Sequence, residues 1–249
     1  MKTKAIIVGI KEYKLTDHEK KLFKTFKPWG VILFSRNIKS IIQLKYLISE
    51  IKLLFNNKNF PIMIDQEGGK VSRLNKILDL SAFSQSNLNN IYKKNKKLFH
   101  AIYNIYINEV CNIFNLTGIN INTSPVLDVK RKKAHQVIGS RSFSRNIQEV
   151  VKLGNICIKL FKKKKILTVT KHIPGHGFAD HDSHFKTPII HVSKKVLERN
   201  DFKAFKLCKS TFSMTCHAIF SSFDKFNVAT HSKYIISNII RKKLVLKVF

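Results

Sequence analysis

The sequence predicts an α/β protein with a parallel β-sheet, and three features carry this prediction. Short β-branched runs alternate with longer segments of helical periodicity. The hydrophobic content of 44% is that of a globular protein. The 249 residues are enough for one large core, and no linker, low-complexity tract or repeat divides them. We therefore expect a single domain that spans residues 1–249.

Strands and helices are predicted in strict alternation. Six apolar runs are predicted to form strands at 4–10, 29–36, 60–66, 121–129, 166–173 and 211–220. A first helix is expected from Thr16, because Glu19 three residues later completes a capping box. Further helices are expected with an apolar face between Ile41 and Ile51 and over 95–116, 146–163, 193–208 and 232–244. The alternation therefore predicts about six βα units.

Polar residues stand at the C-terminal ends of several predicted strands. They are Ser35, Arg36, Asp65, Gln66, Asp128, Lys171, His172, Cys216 and His217. An open doubly wound sheet binds its ligand at one switch point, whereas a barrel of parallel strands builds its active site from many strand ends. We therefore predict a (β/α)8 barrel of the TIM type. The sequence has no GxGxxG and no GxxxxGK[ST] motif, so nucleotide binding has little support.

The net charge is extreme, because 46 Lys and Arg residues face 15 Asp and Glu residues, which gives +31. Nucleic-acid binding through phosphate neutralisation is one interpretation. Compositional drift in a base-biased genome is the other, since most of the excess is Lys and comes with many Ile, Asn and Phe residues. Because the lysines are scattered along the chain, we favour drift. We expect non-specific binding to polyanions and no specific nucleic-acid partner.

The N-terminus and the cysteines bear on the compartment. The apolar run at 5–10 is too short for a signal peptide or a membrane span, which predicts a cytoplasmic protein without a membrane partner. The four cysteines, Cys111, Cys157, Cys208 and Cys216, are widely spaced. We expect reduced thiols rather than disulfides or a zinc site.

Histidines are concentrated in the segment KHIPGHGFADHDSHFKTP at 171–188, which holds four of the ten in the chain. His172 and His176 have the spacing of a zinc-binding helix, but Pro174 and Gly175 between them break a helix. A metal site on a loop is one hypothesis, and an acid–base device is another. The histidine spacing leaves both hypotheses open. A family resemblance carried by further motifs favours acid–base chemistry and implies neither a metal nor an organic cofactor.

Six motifs follow one another in a characteristic order and spacing: GVILFSRN (30–37), IDQEGGKVSRL (64–74), SPVLDV (124–129), IGSRSFS (138–144), KHIPGHG with DSH (171–184) and DFKAF (201–205). Together they resemble the bacterial cytoplasmic β-N-acetylglucosaminidases of glycoside hydrolase family 3. The resemblance implies a (β/α)8 barrel. It also implies hydrolysis of terminal β-linked N-acetylglucosamine from peptidoglycan fragments, typically the disaccharide with anhydro-N-acetylmuramic acid, during cell-wall recycling.

The resemblance also implies a histidine–aspartate pair as the acid/base device of a retaining mechanism. His184 matches the proton donor and acceptor, and Asp182 matches the residue that orients its ring. An imidazole with an ordinary pKa of about 6.5 can donate and recover a proton near neutral pH. The alternative is a pair of solvent-facing loop residues without a catalytic role.

The expected substrate-binding residues come from several strand ends: Asp65, Arg73, Arg141, Lys171 and His172. A carboxylate such as Asp65 can accept hydrogen bonds from two sugar hydroxyls at once. For each arginine the alternative is a structural salt bridge. Glu67 and Asp128 near the same end are equally compatible with structural and ligand-binding roles.

The family's nucleophile is an aspartate that follows the helix matched here by 232–244. The last aspartate of this sequence is Asp224, so we expect the nucleophile beyond residue 249 and a barrel without its last two βα units. Such a barrel exposes a sheet edge. The alternative to an enzyme acting on an amino sugar is a remnant that binds N-acetylglucosamine without hydrolysing it. We expect a monomer.

Overall fold

The structure, a computed structural model, describes residues 3–131, 137–181 and 185–244. These residues form strands β1 (Lys4–Gly9), β2 (Pro28–Leu33), β3 (Ile62–Ile64), β4 (Ile121–Asn122), β5 (Leu167–Ile173), β6 (Ile189–Ile190), β7 (Phe212–Thr215) and β8 (Ile219–Phe220). The α-helices are α1 (Asp17–Phe26), α2 (Ile41–Leu54), α3 (Gln85–Lys94), α4 (Lys96–Thr117), α5 (Ile147–Lys163), α6 (Lys194–Arg199) and α7 (Asp201–Leu207). A π-helical segment covers Ile235–Lys243, and 3₁₀ turns cover Ser35–Asn37 and Gly139–Arg141.

Six strands form one parallel sheet in the order β1-β2-β3-β4-β5-β7. Strands β6 and β8 pair separately, also in parallel. Within the described residues β1 and β7 each have one neighbouring strand, so the sheet does not close between them. The strand order and parallel pairing are those of a half-barrel, which confirms the predicted incomplete (β/α)8 barrel.

The two faces of the sheet pack into different clusters because side chains alternate along each strand. On β3, Ile62 and Ile64 belong to the main core, which includes the buried faces of the helices. Met63 belongs to a smaller cluster on the other face, where Trp29 meets Phe212 edge to face at 5.5 Å between ring centroids. Trp29 thus packs in the first half of β2.

The gap between β1 and β7 leaves apolar side chains accessible. A cavity of about 520 Å³ there is lined by residues of both strands, including Ile7 and Phe212. Ile6 and Ile7 are nearly half exposed. The exposed sheet edge expected from the sequence is therefore present in the described residues. A search of those residues for a helix of sufficient length and hydrophobicity to span a membrane gave none.

Two predicted elements are interrupted in the structure. The predicted helix 193–208 divides at Asn200, whose φ of −114° and ψ of −93° lie outside the helical region. The side-chain amide of Asn200 (Nδ2) donates to the Val196 carbonyl at 2.9 Å, and such local bonds compete with helix continuation. The predicted strand 211–220 divides into β7 and β8 because β8 pairs with β6 instead of continuing beside β5.

Helix α3 is not predicted by the sequence. Its segment QSNLNNIYKK is polar and contains three asparagines, which have low helix propensity. Ser84 caps its N-terminus by accepting a hydrogen bond from the Asn87 amide, and Leu88 and Tyr92 are buried against the main core. Tertiary packing and a cap therefore outweigh the weak local propensity.

The predicted capping box of α1 is confirmed. The Glu19 amide donates to Thr16 Oγ1 at 3.2 Å, and the Thr16 amide donates to Glu19 Oε2 at 2.8 Å. Thr16→Ala is expected to lower the free energy of unfolding by about 1 kcal/mol, measured by urea denaturation, because the Glu19 N–H loses the Thr16 Oγ1 acceptor. Thr25→Ala, an exposed position near the other end of α1, is the control and should cause no loss. Equal losses in both variants would contradict the capping role.

Candidate active site

A polar cavity of about 330 Å³ lies at the C-terminal ends of β3, β5 and β7. Asp65 directly follows β3, Lys171 and His172 lie near the end of β5, and Met214 and Thr215 end β7. The structure brings all five predicted substrate-binding residues to this cavity: Asp65, Arg73, Arg141, Lys171 and His172. His176 and His217 also line it.

Asp65 is bonded by donors from three segments. Arg73 Nη2 donates to Oδ2 at 2.8 Å, while the Lys171 ammonium and the Thr123 hydroxyl both donate to Oδ1. Burial alone would raise the pKa of Asp65, but the charge of Lys171 and these hydrogen bonds hold it well below its usual range. Asp65 is therefore an ionised acceptor at neutral pH.

Glu67 is buried between two cations. It accepts two hydrogen bonds from Arg141, at 2.8 Å from Nε and 2.7 Å from Nη2, and its Oε1 lies 2.6 Å from Lys171 Nζ. Burial would raise the pKa of Glu67, but Lys171 and Arg141 outweigh burial and lower it. Glu67 therefore has a structural role, and it holds Arg141 by a bidentate salt bridge at the cavity wall.

Asp128 organises the two histidines of the cavity. Its Oδ2 lies 2.7 Å from His172 Nδ1, and its Oδ1 accepts the His176 backbone N–H at 2.6 Å. Asp128 is fully buried, and although burial would raise its pKa, His172 lowers it. Because an ionised carboxylate only accepts hydrogen bonds, the proton shared with Asp128 is carried by His172 Nδ1. In the neutral imidazole the other ring nitrogen, Nε2, is then an acceptor, and it lies 3.4 Å from Arg141 Nη2.

The DQEGG motif forms the turn that brings Arg73 to Asp65. Gly68 has φ of +90°, and an added Cβ would lie 2.5 Å from the Phe83 carbonyl oxygen, so a side chain does not fit. After the turn, the buried Gln66 side chain accepts the Arg73 amide at 2.8 Å. Backbone geometry thus explains Gly68 in the motif, and the hydrogen bond from the Arg73 backbone N–H explains Gln66.

The charges of the cavity region balance one another. Three cations (Arg73, Arg141, Lys171) are paired with three carboxylates (Asp65, Glu67, Asp128) either directly or through His172. The excess positive charge of the chain therefore does not extend to this site. A balanced site of hydrogen-bond donors and acceptors suits a neutral polyhydroxylated ligand better than a phosphate.

The predicted acid/base residues Asp182 and His184 lie outside the described residues, so their role stays a prediction. Two contributors were missed from the sequence. Thr123 follows β4 and bonds both Asp65 and Lys171, at 3.0 Å from Lys171 Nζ; its position at a strand end was the available signal. His217 stands at a polar strand end in the sequence, but this position alone does not predict its place in the cavity. Among residues 3–131, 137–181 and 185–244 no group of three potential ligands is arranged to hold a metal ion.

A half-barrel of parallel strands with a polar cavity at their C-terminal ends defines an enzyme of the (β/α)-barrel class. Residues 3–247 match the N-terminal domain of glycosyl hydrolase family 3, and the chain belongs to this family of glycosidases. This confirms the resemblance found in the motifs.

Relatives in this family share most of the chain. The β-hexosaminidase of Neisseria meningitidis serogroup C is 31% identical over 97% of this chain, which spans about two thirds (67%) of that protein. The crystal structure of Neisseria gonorrhoeae NagZ with N-trifluoroacetyl-D-glucosamine superimposes with a TM-score of 0.88 at 29% identity, covering 99% of this chain and 73% of that one. A family 3 β-N-acetylglucosaminidase from Paenibacillus sp. str. FPU-7 gives a TM-score of 0.85 at 25% identity, covering 97% and 46%.

Glu67→Gln is expected to lower the free energy of unfolding at pH 7 by about 3 to 5 kcal/mol, because two buried cations lose their shared counter-charge. The folded state lowers the pKa of this carboxyl, so its contribution is complete above the unfolded value of 4.5 and is lost as the pH falls below it. Urea denaturation between pH 7 and pH 3 should therefore show the difference between wild type and variant shrinking in acid.

Glu109→Gln is the control for this prediction, because Glu109 is exposed on α4 and the substitution changes the net charge equally. We expect a change within about 0.5 kcal/mol for this surface position. A loss for Glu67→Gln no larger than for Glu109→Gln would show that the buried ion pairs contribute little.

Proposed function

We propose that the chain forms the sugar-binding barrel of a cytoplasmic exo-β-N-acetylglucosaminidase that acts on peptidoglycan fragments during cell-wall recycling. The observation that carries this proposal is the meeting of Asp65, Arg73, Arg141, Lys171 and His172 in one charge-balanced cavity. The names of the relatives support it, since they are β-hexosaminidases and β-N-acetylglucosaminidases.

The size of the cavity supports exo-action. About 330 Å³ is at the lower end of the range for small-molecule sites, which fits one sugar ring rather than an extended chain. Asp65 Oδ2 and His172 Nε2 supply acceptors for hydroxyl groups, and the guanidinium groups of Arg73 and Arg141 supply donors. A terminal N-acetylglucosamine, neutral and rich in both donors and acceptors, matches this set.

The chemical step of the proposal uses the histidine–aspartate pair. His184 protonates the glycosidic oxygen as the leaving group departs and then deprotonates water, while Asp182 orients the ring and supports its charged form. The resemblance assigns the nucleophile to an aspartate that follows the segment matched by 232–244. Sugar binding and hydrolysis therefore depend on different residues and are tested separately.

Asp65→Asn is expected to weaken N-acetylglucosamine binding at least tenfold in calorimetric titration. The substitution removes the charge from an acceptor of hydroxyl hydrogen bonds, and bonds to charged groups contribute about 1.5 to 3 kcal/mol. Asp79→Asn, an exposed position outside the cavity, is the matched control and should bind like the wild type. Unchanged binding by Asp65→Asn would remove this cavity as the sugar site.

In a full-length form that carries the nucleophile, His184→Ala is expected to slow the release of nitrophenol from 4-nitrophenyl N-acetyl-β-D-glucosaminide by more than about 10²-fold, the low end for losing a general acid/base. His100→Ala, an exposed histidine on α4, should leave the rate unchanged. An unaffected rate in His184→Ala would reject the acid/base assignment. Sugar binding without any release by the wild type would favour the binding-only alternative.

A further inference from the structure

A fourth buried carboxylate, Asp201, lies outside the sugar cavity. It is the first residue of α7, directly after the helix break at Asn200, and it is fully buried. Arg131, on the loop after β4, donates from Nη2 to Asp201 Oδ2 at 3.0 Å. The guanidinium of Arg131 also lies 4.3 Å above the ring of Phe178, on the loop after β5. Arg131 therefore joins the two loops to α7, through its ion pair with Asp201 and its contact with Phe178.

The backbone of the β5 loop passes directly over Asp201. A Cβ added to Gly175, where φ is +138°, would lie 2.4 Å from the Asp201 Cβ. A Cβ added to Gly177 would lie 2.8 Å from Asp201 Oδ1 and 2.3 Å from the Val129 carbonyl oxygen. The glycines of the PGHG motif thus allow the loop to contact α7 and the β4 loop at the same time, in a space without room for side chains.

The energetics of Asp201 differ from those of the cavity carboxylates. Burial raises its pKa to about 6, and the pair with Arg131 only partly offsets burial. Its Oδ1 is buried and has no hydrogen-bond partner among the residues that the structure describes. Because the folded pKa exceeds the unfolded value of 3.8, ionised Asp201 lowers the stability of the protein at neutral pH. A costly group of this kind indicates a role other than stability.

We propose that Asp201 is a positioning residue that, through Arg131, holds the loops after β4 and β5 in one arrangement and so sets the path of residues 174–181. This deepens the proposed function, because the same loop continues into Asp182 and His184. In the ionised state Asp201 keeps the Arg131 guanidinium over Phe178. Replacing Asp201 by an uncharged residue releases both loops without altering the five sugar-binding residues.

The first test compares Asp201→Asn with wild type by hydrogen–deuterium exchange and thermal unfolding at pH 8. We expect amides of 174–181 to exchange at least tenfold faster, while exchange in α4 is unchanged and Tm is equal or higher. Asp79→Asn is the exposed control and should match the wild type in both. Unchanged loop exchange, or a lower Tm with faster exchange throughout, would overturn the proposal in favour of a plain structural role.

A second variant keeps the proposal testable if Asp201→Asn folds poorly. Arg131→Ala should increase the amide exchange of 174–181 to a similar extent. Exchange in the double variant should be no faster than in either single variant, because both substitutions break the same Arg131–Asp201 pair. Additive effects of the two substitutions would overturn the shared mechanism.

The pH dependence of loop amide exchange tests the role of the Asp201 charge independently. The charged or titratable groups that act on Asp201 are Arg131 and Asp128 from the β4 loop and Cys216 after β7. After correction for intrinsic rates, wild-type loop exchange should increase as the pH falls through about 6, and Asp201→Asn should lack this step. The same step in both proteins would contradict a role for the Asp201 charge.

These exchange readouts require neither sugar nor turnover, so they are independent of the proposed function. If the protein hydrolyses the nitrophenyl glycoside, Asp201→Asn should lower kcat at least tenfold and leave the N-acetylglucosamine Kd within twofold. Loss of sugar binding with unchanged loop exchange would instead show that Asp201 supports the cavity itself.

Discussion

The rest of the site depends on the two ion pairs of the buried Lys171 ammonium. It lies against Asp65 and Glu67 and is almost completely removed from solvent. Desolvating an ammonium is costly, and the cost is offset only if its counter-charges are held in place. Since β3, β4 and β5 are neighbours, Asp65, Thr123 and Lys171 form one hydrogen-bonded row across three adjacent strand ends. These side chains can therefore pair only because the three strands are adjacent, and the pairing in turn stabilises this strand order.

A second row of bonds extends from the same lysine to Asp128 on the β4 loop. Glu67 connects Lys171 to Arg141, Arg141 lies against His172, and His172 is bonded to Asp128. Arg141 and His172, which face the cavity, thus each have a buried carboxylate partner, Glu67 and Asp128 respectively. Such support restricts the rotamers of the cavity residues before a ligand arrives, which lowers the entropy cost of binding. Glu67 and Asp128 hold Arg141 and His172 in place at the cavity.

The sequence predicts the parts of this fold that depend on local patterns. The strand runs and the capping box at Thr16 follow from local patterns, and both are present in the structure. The five predicted substrate-binding residues follow from the motifs, and the structure brings them to one cavity. Features that depend on tertiary contacts escaped prediction. The pairing of Glu67 with both Arg141 and Lys171, the division at Asn200 and the burial of Asp201 arise from segments far apart in the chain. The same holds for α3, whose polar segment is helical because of its packing.

The buried carboxylates fall into two groups that differ in how their charge is compensated. Neighbouring basic groups and hydrogen bonds lower the pKa values of Asp65, Glu67 and Asp128, so these three carboxylates are ionised at neutral pH. Asp201 has one cation, which does not compensate its burial. Ionised Asp201 is therefore retained at a cost in stability, directly beneath the glycines of the β5 loop. The first three carboxylates therefore hold side chains of the cavity, whereas in our proposal Asp201 holds the loop beside it.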